Sequence, residues 1–529
     1  MMPPLWTPVL LPVGFGILIY ALPERLKRAL SFVAAGAQLA ACIRLFRQVC
    51  IAPVSLSLGG WNPPVGIMLY ADRLAATMTL LTAFLFLVLL VFEADRLVSD
   101  KNFCMLFLIL EGLLSGIFLL DDLFSIFIFV EVSTLVAALL IMFRRDSRSM
   151  YDGLFYMVIN IFASTFFLFG LAMLYKQTGT FSLQVLGQIL PDVENMTPLY
   201  LPYALILTAV CLKAALMPLF SWLPKAHGTP SAPSVVSAVL SGLYVKNGIY
   251  LFIRCQSAFQ AIDTSTFFLV AGAVTAIAGA VFAIAQSDIK LILSYHTVSQ
   301  IGLIMVALNM GGETAAVGGM YHIVNHALFK SVLFLGAGVV IDEYGTRNMY
   351  DIRGAFRRMP LIAVSMIAAI LGITGAPLFN GSISKYLIQH DVSDALGSAV
   401  LILINVGTII SFIKFSGMFF GNTKIKARVF AGRTAACLIL GSLCLVFGIF
   451  GASVVRLLFG TDITIDPAGY LKKSMVFLLS TASAWLIYRF AVRNRAFWKR
   501  IRAVDFGFNT SALSVVLFFA AITGYLFLS

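Results

Sequence analysis

The sequence predicts an all-α polytopic membrane protein of about 14–16 transmembrane helices, with two inverted five-helix repeats and discontinuous helices 7 and 12. Three observations carry that expectation. Of the 529 residues, 60% are apolar and 12% charged, with a mean hydropathy of +0.96; a soluble domain carries about twice that charge fraction. Apolar runs of about 20 residues, the length that spans hydrocarbon, recur from end to end. Two of these runs are interrupted by proline, and each also carries a lysine.

Composition narrows the function as well. No polar segment is long enough to bury a core of its own, so no soluble domain is expected. The seven cysteines (42, 50, 104, 211, 255, 437 and 444) are scattered without a CxxC pair, so neither an iron–sulfur cluster nor a disulfide framework is indicated. No flavin, haem or metal motif accompanies them, so no cofactor is expected in this chain. The net charge of +13 reflects the orientation of a membrane protein and not a nucleic-acid partner.

Taken in order, the N-terminus has no basic residue before its first apolar run and a basic cluster just after it. That is the reverse of a cleavable signal peptide and predicts a retained first span with its N-terminus outside. Sixteen candidate spans follow, at 5–22, 28–50, 73–95, 103–120, 123–143, 152–175, 203–224, 235–255, 266–285, 291–308, 315–341, 361–388, 397–420, 433–458, 474–491 and 511–528. With the first loop inside, inside loops collect about three times the Lys and Arg of outside loops, while acidic residues divide evenly. That bias supports the order of spans and puts both termini outside a cell membrane. Four regions are expected: three helices over 1–102, an inverted repeat at 103–255, its counterpart at 266–420, and C-terminal helices with a basic interfacial segment over 421–529.

The chain is organised around CLKAALMPLFSWLPKAHGTPSAPSVVSAVLSGLYVKNGIYLFIR, from Cys211 to Arg254. Two apolar stretches meet there at a Pro/Ser/Gly-rich turn, with Lys213 in the first and Lys246 in the second. A cation at membrane depth costs about 3 kcal/mol on insertion scales, so it persists with a partner, water or a task. Pro218 removes a helix hydrogen bond five residues after Lys213. Span 12 has a similar interruption in GITGAPLFNGSISK, with Pro377 and then Lys385. Two broken spans running in opposite directions fit an inverted repeat whose ion sites lie near the breaks.

Other interior charges fall into two ranks. Glu131 sits mid-span, and a lysine beside it favours its ionised form; Lys213 is the natural partner, the alternative being a purely structural ion pair. Lys246 lies well inside its span, where snorkelling is the competing explanation. His322, His326 and Lys330 recur at i, i+4 and i+8 on one helix face. A metal site would need a third ligand such as the Glu of HExxH, so a titratable relay fits better. Lys385 follows the second break as a terminal site. Glu111, His227, His296 and Lys414 rank second: Glu111 as neutraliser of a neighbour, His227 at the inner mouth, His296 as a cap or hydrogen-bonding group, and Lys414 as a snorkelling lysine.

The stretch MPLFSWLPKAHGTPSAPSVVSAVLSGLYVKNGIY resembles the signature of the antiporter-like membrane subunits. These are shared by respiratory complex I, the Mrp-type sodium/proton antiporters and the membrane-bound energy-converting hydrogenases. FIFVEVSTL, AQSDIKLILSYHTVSQIGLI, YHIVNHALFKSVLFLGAG with GTRNMYDIRG, and GAPLFNGSISK extend the resemblance, in order, over about residues 70–420. By that resemblance Glu131 is the glutamate of span 5, Lys213 its paired lysine, and Lys246 the bridging residue of span 8. His322, His326 and Lys330 are the relay of span 11, and Lys385 the terminal lysine. The resemblance implies a polar axis along the membrane plane, fourteen shared helices and membership of a larger complex. Phe220 stands where many relatives have histidine, and Lys225 where many have an acidic residue. The chain also continues past the usual fourteenth span, and its basic, aromatic segment 493–510 is expected on the inner surface.

The function expected is therefore that of an ion-translocating, antiporter-like subunit, moving protons or exchanging them for sodium, coupled to a redox module or a cation gradient. The expected partners are other membrane subunits, including further antiporter-like ones, the lipid bilayer, and protons or sodium. Two other readings compete: a non-conducting structural subunit, and one engaged directly in quinone-linked electron transfer. The first gains nothing from keeping costly buried charges, and the second lacks a cofactor motif.

Overall fold

The computed structural model describes all residues except 1–3, 95–99, 230–231, 393–394, 423–426, 428, 494–495 and 529. Asp95 at the end of the third predicted span, Pro230 and Ser231 of the predicted turn, and Asn494 and Arg495 of the basic segment thus lie outside the described residues. Thirteen helices are long and apolar enough to cross a membrane, and Thr7–Ala21, Thr197–Lys213 and Pro360–Thr374 are shorter apolar helices. These helices account for all sixteen predicted spans, and the chain is a multi-pass membrane protein.

The chain divides into two compact units. The first comprises Met1–Ala232, Leu243–Phe267 and Gly507–Ser529; the second comprises Pro233–Gly242 and Phe268–Phe506. The C-terminal stretch is accordingly shared out. Its last helix, Phe508–Leu528, packs in the first unit on Thr197–Lys213, where Ser221 and Ser511 hydroxyls lie 2.7 Å apart. The helices between Ala431 and Arg502 belong to the second unit.

In the first unit, small residues and aspartate caps set the helix arrangement. Asp72, Asp100, Asp122 and Asp146 each accept backbone N–H groups at the start of a helix, which supplies acceptors for donors the helix cannot pair. Gly112 lets Lys101–Leu119 approach the first helix so closely that a Cβ there would sit 2.5 Å from the Val9 carbonyl oxygen. A feature absent from the sequence expectation is a two-stranded hairpin, Val54–Ser57 against Met68–Ala71, between the second and third membrane helices.

In the second unit, Glu313–Tyr344 is the central helix. It packs against Ile289–Asn309, Pro360–Thr374, Asn380–His390 and Ala431–Ile449, and its apolar length is buried. A helix enclosed on all sides needs apolar residues all round, and any charge on it faces protein instead of lipid. The span predicted over 433–458 is divided at Phe450 into Ala431–Ile449 and Gly451–Phe459.

Both expected breaks are present, one in each unit. Thr197–Lys213 stops, and Trp222–Gly228 resumes after a loop in which Ala215 takes a left-handed φ of 56°. The Trp222 indole N–H reaches back to the Leu212 carbonyl at 2.8 Å, a second donor to an oxygen that also accepts the Ala215 N–H, and so ties the resumed helix to the end of the first. In the second unit Pro360–Thr374 stops at Gly375 (φ 83°), and Asn380–His390 resumes after Leu378 (φ 70°).

Candidate functional site

The first cluster is assembled at the first break. Lys213 is the last residue of its helix and is buried, and its Nζ donates to Thr134 Oγ1 at 2.7 Å. Thr134 lies one helical turn after Glu131 on Leu123–Ile141. Its own hydroxyl hydrogen goes to the Val130 carbonyl at 2.8 Å, so its lone pairs stay free for the lysine and for Tyr244 Oη at 3.1 Å. Glu131 is half-buried and accepts from Ser164 Oγ on Ser147–Thr178. Glu131 and Lys213 thus belong to one cluster but do not form a direct ion pair; the threonine hydroxyl takes the place expected for the carboxylate.

Lys246 is fully buried on Ser234–Ala258, two residues before Gly248. A Cβ on Gly248 would lie 2.3 Å from the Ala214 amide nitrogen, so the glycine brings the helix of Lys246 against the backbone that ends at Lys213. The helix is π-wound over Leu240–Tyr244, and this turn brings in Tyr244. His227 is buried in Trp222–Gly228, not open at a mouth. Lys225 lies 4.8 Å from the centre of the Phe155 ring, and Phe220 is buried.

The second cluster gathers on Glu313–Tyr344. His322 Nε2 donates to Gln300 Oε1 at 3.0 Å, and its Nδ1 lies 2.8 Å from Ser384 Oγ. An amide oxygen only accepts, so Nε2 carries a proton, while a hydroxyl at Nδ1 serves either the neutral ring or the imidazolium. The His326 ring lies 6.4 Å from that of His322, one turn along the same face. Lys330, a turn further, donates to the Leu293 carbonyl. Lys385 is buried just past the second break and donates to the Ile373 carbonyl at 2.8 Å and Asn405 Oδ1 at 2.7 Å. The Ile373 oxygen is one that the interrupted helix cannot pair itself, so the break supplies the ammonium with an acceptor.

The three other second-rank expectations are corrected as well. Lys414 does not snorkel; it is buried and donates to the Ala283 and Ile284 carbonyls at 3.2 and 2.7 Å and to that of Gln286, at the end of Ser265–Ala285. It is a C-terminal cap, favoured because a cation complements the negative end of a helix. Arg502 of the basic segment reaches the same helix end, at the Ala285 carbonyl (2.8 Å). His296 does not cap Ile289–Asn309, a task Asp288 performs; it is buried mid-helix, stacked on Phe412 at 4.6 Å, and its ring nitrogens have no hydrogen-bond partner among the described residues. Glu111 neutralises no neighbour: it is fully buried in the first unit with both oxygens unpaired among the described residues.

Sequence reasoning missed the neutral members of these clusters, namely Thr134, Ser164, Tyr244, Gln300, Ser384 and Asn405. Hydroxyls and amides are common in membrane helices, and only proximity distinguishes these. It also placed Lys473 in the outside loop before a span starting at 474, whereas the helix Pro467–Ile487 begins earlier and carries Lys473 inward. Asp466, which accepts from the Ala468 and Gly469 N–H groups, is a start signal that reveals the earlier boundary.

A family model described as NADH:quinone oxidoreductase/Mrp antiporter, TM, matches residues 121–414, more than half of the chain. The D subunit of the Na(+)/H(+) antiporter of Alkalihalophilus pseudofirmus is 31% identical over 431 residues, covering 79% of this chain and 87% of that protein. The N subunit of the NADH-quinone oxidoreductase of Desulforudis audaxviator is 32% identical over 368 residues, covering 68% and 73%. A chain of the Mrp complex from Dietzia sp. DQ12-45-1b shares the fold with a TM-score of 0.80 at 24% identity, covering 92% of this chain and 98% of that one. A chain of the membrane-bound sulfane sulfur reductase, an archaeal respiratory membrane complex, does so at 0.78 and 24% identity, covering 90% and 99%. Glu131, Lys213, Lys246, His322, His326, Lys330, Lys385 and Lys414 all fall inside the matched segment, while Glu111 and Lys473 fall outside it. The chain belongs to the NADH:quinone oxidoreductase/Mrp antiporter transmembrane family.

Proposed function

We propose that this chain translocates ions, protons or protons exchanged for sodium, as an antiporter-like subunit of a multi-subunit membrane complex driven by a redox module or a cation gradient. The observation that carries the proposal is the chemistry around the two break lysines. Lys213 donates to a hydroxyl, and Lys385 to a carbonyl and an amide oxygen. These acceptors are neutral, so either lysine can pass on its proton without stranding a bonded carboxylate beside it. The competing reading for Lys213, a purely structural ion pair with Glu131, needs a carboxylate in contact with the ammonium, and the group in contact is the Thr134 hydroxyl.

Within each cluster the parts serve that task. Glu131, a turn from Thr134, modulates the charge state of Lys213 through space and through the hydroxyls around it. His322, with partners at both ring nitrogens, exchanges protons one at a time. The relatives named as sodium/proton antiporter and quinone oxidoreductase subunits support this function, and with it membrane-subunit partners. The test is Lys213→Ala in the complete assembly reconstituted into vesicles. Coupled ion uptake should be abolished while co-purification of the other subunits persists, and Glu131→Gln should impair uptake similarly. Uptake at the unsubstituted rate in Lys213→Ala refutes the proposal.

A further inference from the structure

The helix Pro467–Ile487 lies beyond the family-matched segment, yet it is built onto the second break. It packs along Ala395–Ser416, the helix that carries Asn405. Its Tyr470 hydroxyl accepts the Leu378 N–H at 3.0 Å, at the residue with left-handed φ, and lies 2.8 Å from Ser382 Oγ. From there Lys473, Val476, Phe477 and Ser480 recur at i, i+3, i+4 and i+7, a single helix face. That face lines the same cavity as Lys385, Gln389 and Asn405.

The cavity has about 40 Å³ of room for water centres, enough for about three waters at about 10–15 Å³ each. Lys473 Nζ is buried, 5.6 Å from the centre of the Tyr386 ring, with no hydrogen-bond partner among the described residues. Lys330, Lys385 and Lys414 in the same unit all donate to protein oxygens. A buried amine without a protein acceptor is costly to keep charged unless water reaches it, and it shares its cavity with a lysine at the helix break.

We propose that Lys473 is a further proton-carrying residue, which exchanges a proton with Lys385 through water in this cavity. The inference rests on the ion-translocation reading above. In the step, an N–H bond of the Lys385 ammonium breaks as its proton passes to a water. That water gives up another proton, which forms an N–H bond on the neutral Lys473 amine. Water is regenerated, one proton has moved, and nothing is oxidised or reduced. Two ammonium groups facing one cavity repel each other, so arrival of charge on Lys473 requires its departure from Lys385.

The test uses the full chain in its native assembly in vesicles, with proton uptake followed by an internal pH-sensitive dye and Lys213→Ala as reference. Lys473→Met and Lys473→Arg should each slow uptake by about tenfold or more, because one has no proton to carry and the other does not release it. Lys473→His, which titrates, should stay within about threefold of the unsubstituted rate. Lys473→Cys should react with a small water-soluble cationic thiol reagent above the background of the native cysteines, a reading of hydration that needs no transport. Unchanged rates in the Met and Arg variants beside an inactive Lys213→Ala overturn the inference. So does an active Arg with an inactive His variant, the pattern of a structural charge, and so does a Lys473→Cys protein that reacts no faster than the native cysteines alone. If Lys213→Ala transports normally, the translocation reading itself has failed.

Discussion

Thr134→Val isolates what the neutral partner of Lys213 does. Valine keeps the branched shape of threonine and its backbone preferences, and it removes only the hydroxyl. That hydroxyl accepts the Lys213 ammonium at 2.7 Å, lies 3.1 Å from Tyr244 Oη, and donates to the Val130 carbonyl at 2.8 Å. The Val130 carbonyl keeps an acceptor role within its helix, so the loss falls on the lysine and the tyrosine. A hydrogen bond to a charged group contributes about 1.5–3 kcal/mol. If that interaction positions Lys213 for proton transfer, its loss slows transport by roughly ten- to a hundredfold, at about 1.4 kcal/mol per tenfold. The assay is ion uptake by vesicles containing the purified assembly, normalised to assembled subunit. Thr134→Ser, which restores the oxygen, should return uptake to within about threefold of the starting rate. Uptake in Thr134→Val equal to that of Thr134→Ser would refute the argument, because the lysine would then be positioned by something other than this hydroxyl.

The other predictions separate architecture from transport. Lys414→Met strips the cap from the carbonyls at the end of Ser265–Ala285 and should cost roughly 1–3 kcal/mol of stability, read as a lower thermal midpoint of the detergent-solubilised chain, with transport per folded molecule retained. Gly248→Ala drives a methyl group into the Ala214 backbone, at 2.3 Å from its nitrogen, and should destabilise by about 1–3 kcal/mol and lower assembly yield; normal yield and transport would mean that this approach is not needed. Asp72, at the start of Arg73–Phe92, is raised by burial, but the hydrogen bonds and charge of Arg254 outweigh that and hold it below the usual carboxylate range. Its folded pKa lies below the unfolded value of about 3.9, so its stabilising contribution is present above that pH and is lost as pH falls through the folded pKa. Arg254→Gln should therefore flatten the acid dependence of stability below about pH 4, measured as thermal midpoint against pH.

The second cluster illustrates why some residues were legible and others not. His322, His326 and Lys330 declared themselves by helical spacing within an apolar run, and a titratable group in hydrocarbon is conspicuous in any sequence. Ser384 and Gln300, which engage both ring nitrogens of His322, lie 62 positions after it and 22 before it. Nothing local marks them, because a serine or glutamine in a membrane helix is unremarkable until a histidine is placed against it. Lys414 shows the reverse case. It had the appearance of an interfacial lysine near a span end, and only the arrival of a helix terminus more than a hundred positions earlier in the chain makes it a cap.

By itself the sequence determined the number and order of the membrane helices, the two proline breaks and the charged residues buried near them. Each of these follows from local physics: hydrophobic length, the missing proline N–H and the cost of charge in hydrocarbon. The tertiary structure alone decided who meets whom: Lys213 with Thr134 instead of Glu131, Lys385 with Asn405, and Lys473 turned inward beside Lys385. Those pairings depend on where helices distant in sequence pack against one another, and that is set by side-chain shape at close approaches such as Gly248 against Ala214. No pattern within a single span encodes it.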